Sequence, residues 1–168
     1  MFVSIYSILT VALAAATVST GRTVSFTNNC RMNIRPIIKY TTGSTNFTGP
    51  WLSAGYSLSM AAPANASSSL IISGRYTSAD QGVDCVGCTR LECDIADTDP
   101  SLHCCRLSRV GGFNVDMSFS WNGDGCKVVV CPYPSCLSSS AWAPNVDEGS
   151  SVRCCPSAKA TLKVTFCP

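Results

Sequence analysis

Histidine and clustered charge are scarce in this chain. Among its 168 residues there is one histidine, His103, and only 13% of the residues are charged. A zinc site built on two or three imidazoles, and any chemistry that needs two histidines, are therefore excluded. Twelve basic and ten acidic residues leave a net charge of +2 without a basic run. We expect no nucleic-acid partner, because such a partner requires a concentrated positive surface.

The first twenty residues contain no charged side chain. The apolar stretch Ile8–Ala16 ends in three alanines, which is the pattern of a signal peptide's apolar core and cleavage site. The alternative is an uncleaved membrane anchor, which needs about 20 apolar residues, but hydroxyl side chains interrupt this segment. We predict a signal peptide at 1–16, with Ser19 as the second choice of cleavage point. One secreted domain then follows at 17–168, without stable membrane insertion.

Cysteine is the residue in excess, with twelve in the chain. An even number at irregular spacing predicts a disulfide framework formed in an oxidising compartment. The stretch 80–110 shows few strand patterns, so we expect a strand-poor loop region that disulfides hold in place. The alternative for its Cys-x2-Cys-x4-Cys run is a metal site, which secretion disfavours, and we expect neither metal nor cofactor. Five cysteines lie in this stretch: Cys85, Cys88, Cys93, Cys104 and Cys105.

Alternation of apolar and polar residues predicts several short strands. It is strongest at Gly112–Ser120, where Phe113, Val115, Met117 and Phe119 share one face. No segment carries a helical apolar stripe, so we predict an all-β sandwich with little helix. The same alternation recurs at 23–27, 56–60 and 162–166.

Three further segments are β-branched but do not alternate. The runs 70–72 and 128–130 are continuous, which predicts strands buried on both faces. Pro36 lacks a backbone N–H, so the run 34–40 is expected at a sheet edge or a bulge.

Two tripeptides match the N-glycan acceptor pattern, beginning at Asn46 and Asn65. Both lie in Ser/Thr/Gly-rich stretches, where we expect a glycan on a solvated turn.

A glycosidase would need two carboxylates about 5 to 9 Å apart. The possible suppliers are Glu92, Asp94, Asp97, Asp99 and Asp116, and the candidates that we select are Glu92, Asp97 and Asp99. Asp97 and Asp99 would share a face if extended, but their segment fits a hydrated turn equally well. A Ser/His/Asp arrangement would depend on His103, and no Gly-x-Ser-x-Gly elbow supports it. We therefore assign no residue as catalytic.

Aromatic side chains near turns are candidates for stacking on sugars, because they combine a flat apolar face with a polar edge. We select Trp121, Tyr133 and Trp142. The alternative for each of them is packing in the core or a loop.

Five strings in one order are similar to segments of the thaumatin-like proteins. They include an opening strand ending in Asn-Asn-Cys, a Gly-Phe-Asn-Val-x-Met strand, a Gly-Cys-x4-Cys spacing and a final Val-Thr-Phe-Cys-Pro. The chain resembles a short, divergent member of that family, which implies a thaumatin-like β-sandwich. The strings lie at 23–30, 52–57 with 74–75, 112–120, 125–131 and 164–168.

The resemblance implies two disulfides, Cys30–Cys167 and Cys126–Cys155. Five cysteines then remain before residue 126 and three after it. Both numbers are odd, so at least one bridge ties the 85–105 region to the C-terminal part if all are paired. Adjacent cysteines should take separate partners, because a vicinal bond is sterically unfavourable. The remaining C-terminal cysteines are Cys131, Cys136 and Cys154.

The family's acidic cleft is not matched. Its Ala-Glu-Phe and Asp-Tyr-x-Asp-Val-Ser segments do not occur here, and Arg106 and Arg109 stand where aspartates are frequent. We expect a secreted, monomeric, non-catalytic protein that binds cell-wall polysaccharide such as β-glucan, or acts in defence or host interaction. One alternative is a weak β-1,3-glucanase. The other is an effector or inhibitor that binds an extracellular protein.

Overall fold

A computed structural model describes residues 22–42, 46–62, 69–76, 85–94, 103–122, 126–144, 151–155 and 161–168. Within these ranges there are twelve β-strands and no α-helix, which confirms the all-β prediction. Among the described residues, no helix is long and apolar enough to cross a membrane. The strands are β1 (Arg22–Asn28), β2 (Ile34–Tyr40), β3 (Asn46–Thr48), β4 (Ser57–Ala62), β5 (Leu70–Tyr76), β6 (Arg90–Asp94), β7 (His103–Ser108), β8 (Met117–Trp121), β9 (Val129–Cys131), β10 (Ala141–Trp142), β11 (Arg153–Cys155) and β12 (Leu162–Phe166).

The strands form two sheets. The five-stranded sheet has the order β4-β1-β12-β8-β9, with β1 parallel to β12 and the other pairs antiparallel. The seven-stranded sheet has the order β10-β7-β6-β5-β2-β3, and β11 also pairs with β7. The first and last strands are thus direct neighbours, although almost the whole chain separates them.

The core lies between the sheets. Phe26, Phe119 and Phe166 face inward from the five-stranded sheet and are fully buried. The rings of Phe26 and Phe166 stack with centroids 6.1 Å apart. Gly74 on β5 lies against the Phe166 ring, and a Cβ there would come within 2.5 Å of it. The sheets therefore approach closely at this point because Gly74 has no side chain.

Asn28 shapes the turn that follows β1. Its buried side chain donates hydrogen bonds to the carbonyls of Met32 and Leu52, at 2.9 and 2.7 Å, and accepts one from the N–H of Cys30 at 2.9 Å. Short amides at turns satisfy nearby backbone groups in this way. The turn places Cys30 next to the chain end, where it bonds to Cys167.

The stretch 80–110 is not strand-poor, contrary to our expectation. It contributes β6 and β7, which pair with each other inside the seven-stranded sheet. Cys93 and Cys105 are buried in the core beside Leu91 and Leu107. The prediction was wrong because half-cystines occupy inward positions that the alternation pattern normally assigns to aliphatic residues.

The predicted strand Gly112–Ser120 begins only at Met117. The preceding residues instead hold the turn that contains Cys85 and Cys88. The Asn114 side chain accepts from the Thr89 N–H at 2.9 Å and donates to the Gly74 carbonyl at 2.7 Å. Gly112 has φ +133° and approaches the Gly87 backbone so closely that a Cβ would lie 2.4 Å from its oxygen. These contacts explain the absence of a ladder here.

Pro36 does not place β2 at an edge, because β2 lies between β3 and β5. The Pro36 carbonyl accepts from the Gly49 N–H at 2.9 Å. The Gly49 carbonyl, which cannot receive an N–H from proline, accepts from Arg35 Nε at 2.9 Å instead.

The run 128–130 is not buried on both faces. Val129 is buried, whereas Val128 and Val130 are exposed. Since β9 pairs only with β8 among the described strands, its outward side chains are left at the surface.

All twelve cysteines are bonded, including the two pairs that the resemblance implies. Cys93 lies directly opposite Cys105, and Cys104 directly opposite Cys154. Neighbouring residues of a strand point to opposite faces, so Cys104 and Cys105 have separate partners. The bridge Cys104–Cys154 connects the two odd sets. The pairs are Cys30–Cys167, Cys85–Cys88, Cys93–Cys105, Cys104–Cys154, Cys126–Cys155 and Cys131–Cys136.

Candidate functional site

A groove of about 480 Å³ lies along one end of the seven-stranded sheet. It crosses β5, β6 and β7, where outward-pointing residues of adjacent strands lie side by side. The Thr41 N–H donates to the Ser69 carbonyl at 3.0 Å and brings two hydroxyl side chains to its margin. The groove lining includes Thr41, Ser69, Ile71, Glu92, Asp94 and Arg106.

Arg106 organises the charged part of this groove. It lies opposite Glu92 in the β6–β7 register, and both its Nε and Nη2 donate to Glu92 Oε2 at 2.9 Å. The guanidinium also lies 4.3 Å from the centroid of the Trp142 ring, which is within the range of a cation–π contact. One arginine therefore positions a carboxylate on one side and an indole on the other.

The candidate acids are only partly brought together. Glu92 and the exposed Asp94 share the outward face of β6 and both line the groove. Asp97 and Asp99 lie outside the described residues. Glu92 forms an ion pair with Arg106. In the described part of the chain, no cluster of His, Cys, Asp or Glu could hold a metal ion.

The three selected aromatic residues lie in different environments. Trp121 is 6% exposed and belongs to the core, so selecting it as a sugar-stacking residue was wrong. It lies on β8 with its ring on the inward face shared by Met117 and Phe119. Trp142 is half-buried beside Arg106 and the groove. Tyr133 is exposed on the loop after β9, away from the groove lining.

A second aromatic cluster lies at the other end of the outward face. Arg35 and Arg75 lie opposite each other on β2 and β5, and both guanidinium groups lie near the exposed Trp51 ring, at 5.7 and 5.5 Å. Tyr76 follows at the end of β5, but it points to the opposite face from Arg75 and packs against the core. Burial raises the pKa of its phenol, and the Asp116 carboxylate raises it further. Tyr76 therefore remains a neutral phenol at physiological pH.

Sequence reasoning missed Thr41, Ser69, Ile71 and Arg106. Alternation contained part of the signal, since Arg90, Glu92 and Asp94 occupy every second position and must share a face. The pairing of β6 with β7 was the missing information. No local sequence pattern predicts which strand lies opposite Glu92.

The glycan acceptor Asn46 is half-buried at the start of β3, where it pairs with Lys39. It lies on a short strand and not on the expected turn, because β3 extends the sheet beyond β2. Asn65 lies outside the described residues.

Several solved structures have a fold similar to that of this chain, and two of them are described here. A thaumatin-like xylanase inhibitor, TLXI, is 20% identical over 86% of this chain and 99% of its own, with a TM-score of 0.65. The protein elicitor MoHrip2 from Magnaporthe oryzae is 19% identical over 88% of this chain and 100% of its own, with a TM-score of 0.61. No protein-family model matches the chain, and no curated protein matches it.

Proposed function

We propose that this chain, which has a thaumatin-like fold, is a secreted recognition protein that binds cell-wall polysaccharide without cleaving it. The ligand is a neutral glucan of the β-1,3 type, bound along the groove over β5, β6 and β7. The observation that carries the proposal is the composition of this groove. It combines hydroxyl, carboxylate and guanidinium groups with the apolar surface of Ile71.

This set of groups matches the chemistry of a sugar chain. Each sugar hydroxyl both donates and accepts, so a glucan needs acceptors such as Glu92 and Asp94 beside donors such as Thr41 and Ser69. The apolar C–H face of the ring can rest on Ile71 or on the edge of Trp142. Ligand sites of this kind are largely preformed, with a few polar groups that fix orientation.

Binding without hydrolysis is favoured by the state of Glu92. Arg106 Nε and Nη2 each lie 2.9 Å from Glu92 Oε2, so this carboxylate already has a partner within the chain. A glycosidase needs two carboxyl groups that act together on the bond to be cleaved. The other described acid in the groove, Asp94, is exposed to solvent.

A second candidate function is the binding of an extracellular protein. The similar structures favour it, since one is described as an inhibitor of xylanase and the other as an elicitor.

The first test is retention on insoluble β-1,3-glucan, followed by calorimetry with a soluble β-1,3-gluco-oligosaccharide. We expect the secreted protein to bind, and the double variant Thr41→Ala/Ser69→Ala to bind about fivefold or more weakly, because two hydrogen-bonding groups are lost. The matched control is Ser53→Ala/Ser59→Ala, which removes two exposed hydroxyls on or near β4. Equal binding by both double variants would exclude the groove as the site.

Hydrolysis is tested in parallel by measuring reducing ends released from laminarin. We expect none above the background of a heat-denatured sample. Release that Glu92→Gln abolishes would contradict the non-catalytic proposal and favour the glucanase alternative. Asp97→Asn belongs in the same experiment, because Asp97 was a candidate on sequence grounds.

A further inference from the structure

The loop from Cys131 to Leu137 has the properties of a docking element. The disulfide Cys131–Cys136 closes a ring around Pro132, Tyr133, Pro134 and Ser135, and these four residues are all exposed. Tyr133 is 51% exposed, and Leu137, directly after the bridge, is 72% exposed. One large apolar side chain therefore projects from the short covalent ring and a second one from the residue directly after it.

Hydrogen bonds within the loop and from Arg109 hold the loop backbone in place. The Tyr133 carbonyl accepts from the Cys136 N–H at 3.0 Å, which closes a tight turn. The half-buried Arg109, from the end of β7, donates to the carbonyls of Pro134 and Cys136, at 2.7 and 3.0 Å. The two prolines restrict φ further. The loop is thus ordered before any partner arrives, which reduces the entropy lost on binding.

The next part of the chain is fixed in the same way. Arg153 of β11 donates to the Ser139 carbonyl at 2.8 Å, and the N–H groups of Ser140 and Ala141 donate to the Leu137 carbonyl at 2.8 and 3.0 Å. Leu137 therefore has a fixed backbone despite its exposure. Turns favour Gly, Pro, Asn, Asp and Ser, so turn formation by itself does not account for an exposed tyrosine and an exposed leucine at these positions.

The segment that contains the loop carries no charged side chain of its own. No Asp, Glu, Lys or Arg occurs between residues 128 and 144, although both flanks of this range carry charges. This composition disfavours a nucleic acid or an anionic membrane as the partner. It suits a neutral apolar pocket, and tyrosine is among the side chains that most often dominate binding energy at protein interfaces.

We infer that the Cys131–Leu137 loop inserts the Tyr133 ring into the substrate cleft of an extracellular polysaccharide hydrolase. The phenol ring has a flat apolar face and a hydroxyl at its edge, as a sugar ring does, and clefts for neutral sugars are concave and lined with aromatic residues. A convex, preordered loop fits such a cleft. The inference rests on the second candidate function, protein binding, and is independent of the glucan groove.

The test uses the full secreted chain with purified endo-β-1,4-xylanase and endo-β-1,3-glucanase as probes. Binding is measured by biolayer interferometry without polysaccharide, so that sequestration of substrate by the groove cannot contribute. We expect Tyr133→Ala to weaken binding about thirtyfold, as for a dominant interface residue, and Leu137→Ala about fivefold. Tyr133→Phe, which keeps the ring, should retain most of the affinity.

Two further variants separate docking from folding. Val86→Ala is the matched control, because Val86 is also 72% exposed and lies within another disulfide-closed turn, Cys85–Cys88; it should bind as the wild type does. Arg109→Gln leaves the exposed side chains in place and loosens the loop, so binding should weaken about tenfold through faster dissociation. Thermal unfolding of each variant shows whether the fold is intact.

Inhibition of hydrolysis should be competitive with a soluble substrate. Binding that Tyr133→Ala and Leu137→Ala both leave unchanged would overturn the loop assignment while protein binding stands. Absence of binding to both enzymes would overturn the inference, whereas the wider protein-binding candidate does not depend on these two enzymes. Inhibition that is not relieved by excess soluble substrate would exclude the cleft as the docking site.

Discussion

The two sheets are stabilised by different means. The five-stranded sheet packs aromatic side chains such as Phe26, Phe119 and Phe166 into the core, and a single bridge, Cys30–Cys167, joins its first strand to the end of its last. In the seven-stranded sheet, cystines cross-link β6 to β7 and β7 to β11. Its outward face carries charged side chains, as at Glu92 and Arg106.

This difference shows that cysteine has two roles in the seven-stranded sheet. Cys93 and Cys105 are as deeply buried as the leucines beside them, so they contribute apolar surface as well as a covalent link. The outward positions of the same strands are polar, as is usual for an antiparallel sheet that is covered on one face only.

The largest expected effect separates covalent from apolar stabilisation. We expect Cys30→Ala/Cys167→Ala to lower the free energy of unfolding by up to about 5 kcal/mol, because this bridge closes a loop of 137 residues. Cys85→Ala/Cys88→Ala, which opens a loop of 3 residues, should cost about 1.6 kcal/mol on the same relation. Denaturant unfolding of both double variants measures the difference. Equal losses would show that loop closure is not what distinguishes the two bridges.

An intermediate effect is expected where the sheets meet. Gly74→Ala places a methyl group within 2.5 Å of the Phe166 ring and 2.9 Å of Ile34, and overpacking of this kind costs about 1 to 3 kcal/mol. In Gly111→Ala the added methyl meets only the Arg90 side chain, at 3.1 Å. A long side chain can move aside, so this control should unfold close to the wild type. If both variants unfold alike, Gly74 and the Phe166 ring are not in close contact.

The smallest expected effect concerns the outward face. A double-mutant cycle of Glu92→Gln and Arg106→Gln should give a coupling energy of about 0.2 to 1 kcal/mol, because both side chains are about one-fifth exposed. The coupling should decrease when salt is raised from 0.05 to 0.5 M, as expected for a partly solvated pair. A value several times larger would mean that this ion pair is a structural element of the sheet. Substitutions of these two groove residues would then also destabilise the sheet.

Local patterns predicted some elements well and others poorly. At Leu162–Phe166, alternation predicted the strand and its buried face, because apolar residues occupied every inward position. At Gly112–Asp116 the same alternation misled, since Asn114 and Gly112 are committed to contacts with the Cys85–Cys88 turn. Tertiary contacts of this kind override periodicity.

The candidate site was less predictable than the fold. Glu92 was selected as an acid, but its partner Arg106 was not, because register joins residues that are fourteen apart in sequence. Trp121 was selected for its position before a turn, yet its side chain points inward from β8. Exposure of an aromatic residue depends on which face the final sheet buries, and a turn nearby does not determine that.

The sequence by itself determined the strand-rich composition, the disulfide chemistry and the resemblance that pairs Cys30 with Cys167, because these depend on residue identity and local alternation. Only the tertiary structure decided that Glu92 and Arg106 meet in one groove, that Trp142 lies beside Arg106, and that Arg109 orders the loop bearing Tyr133. These arrangements depend on strand register and on hydrogen bonds to carbonyl groups distant in sequence. Those are set by the packing of the whole sandwich and leave no local pattern.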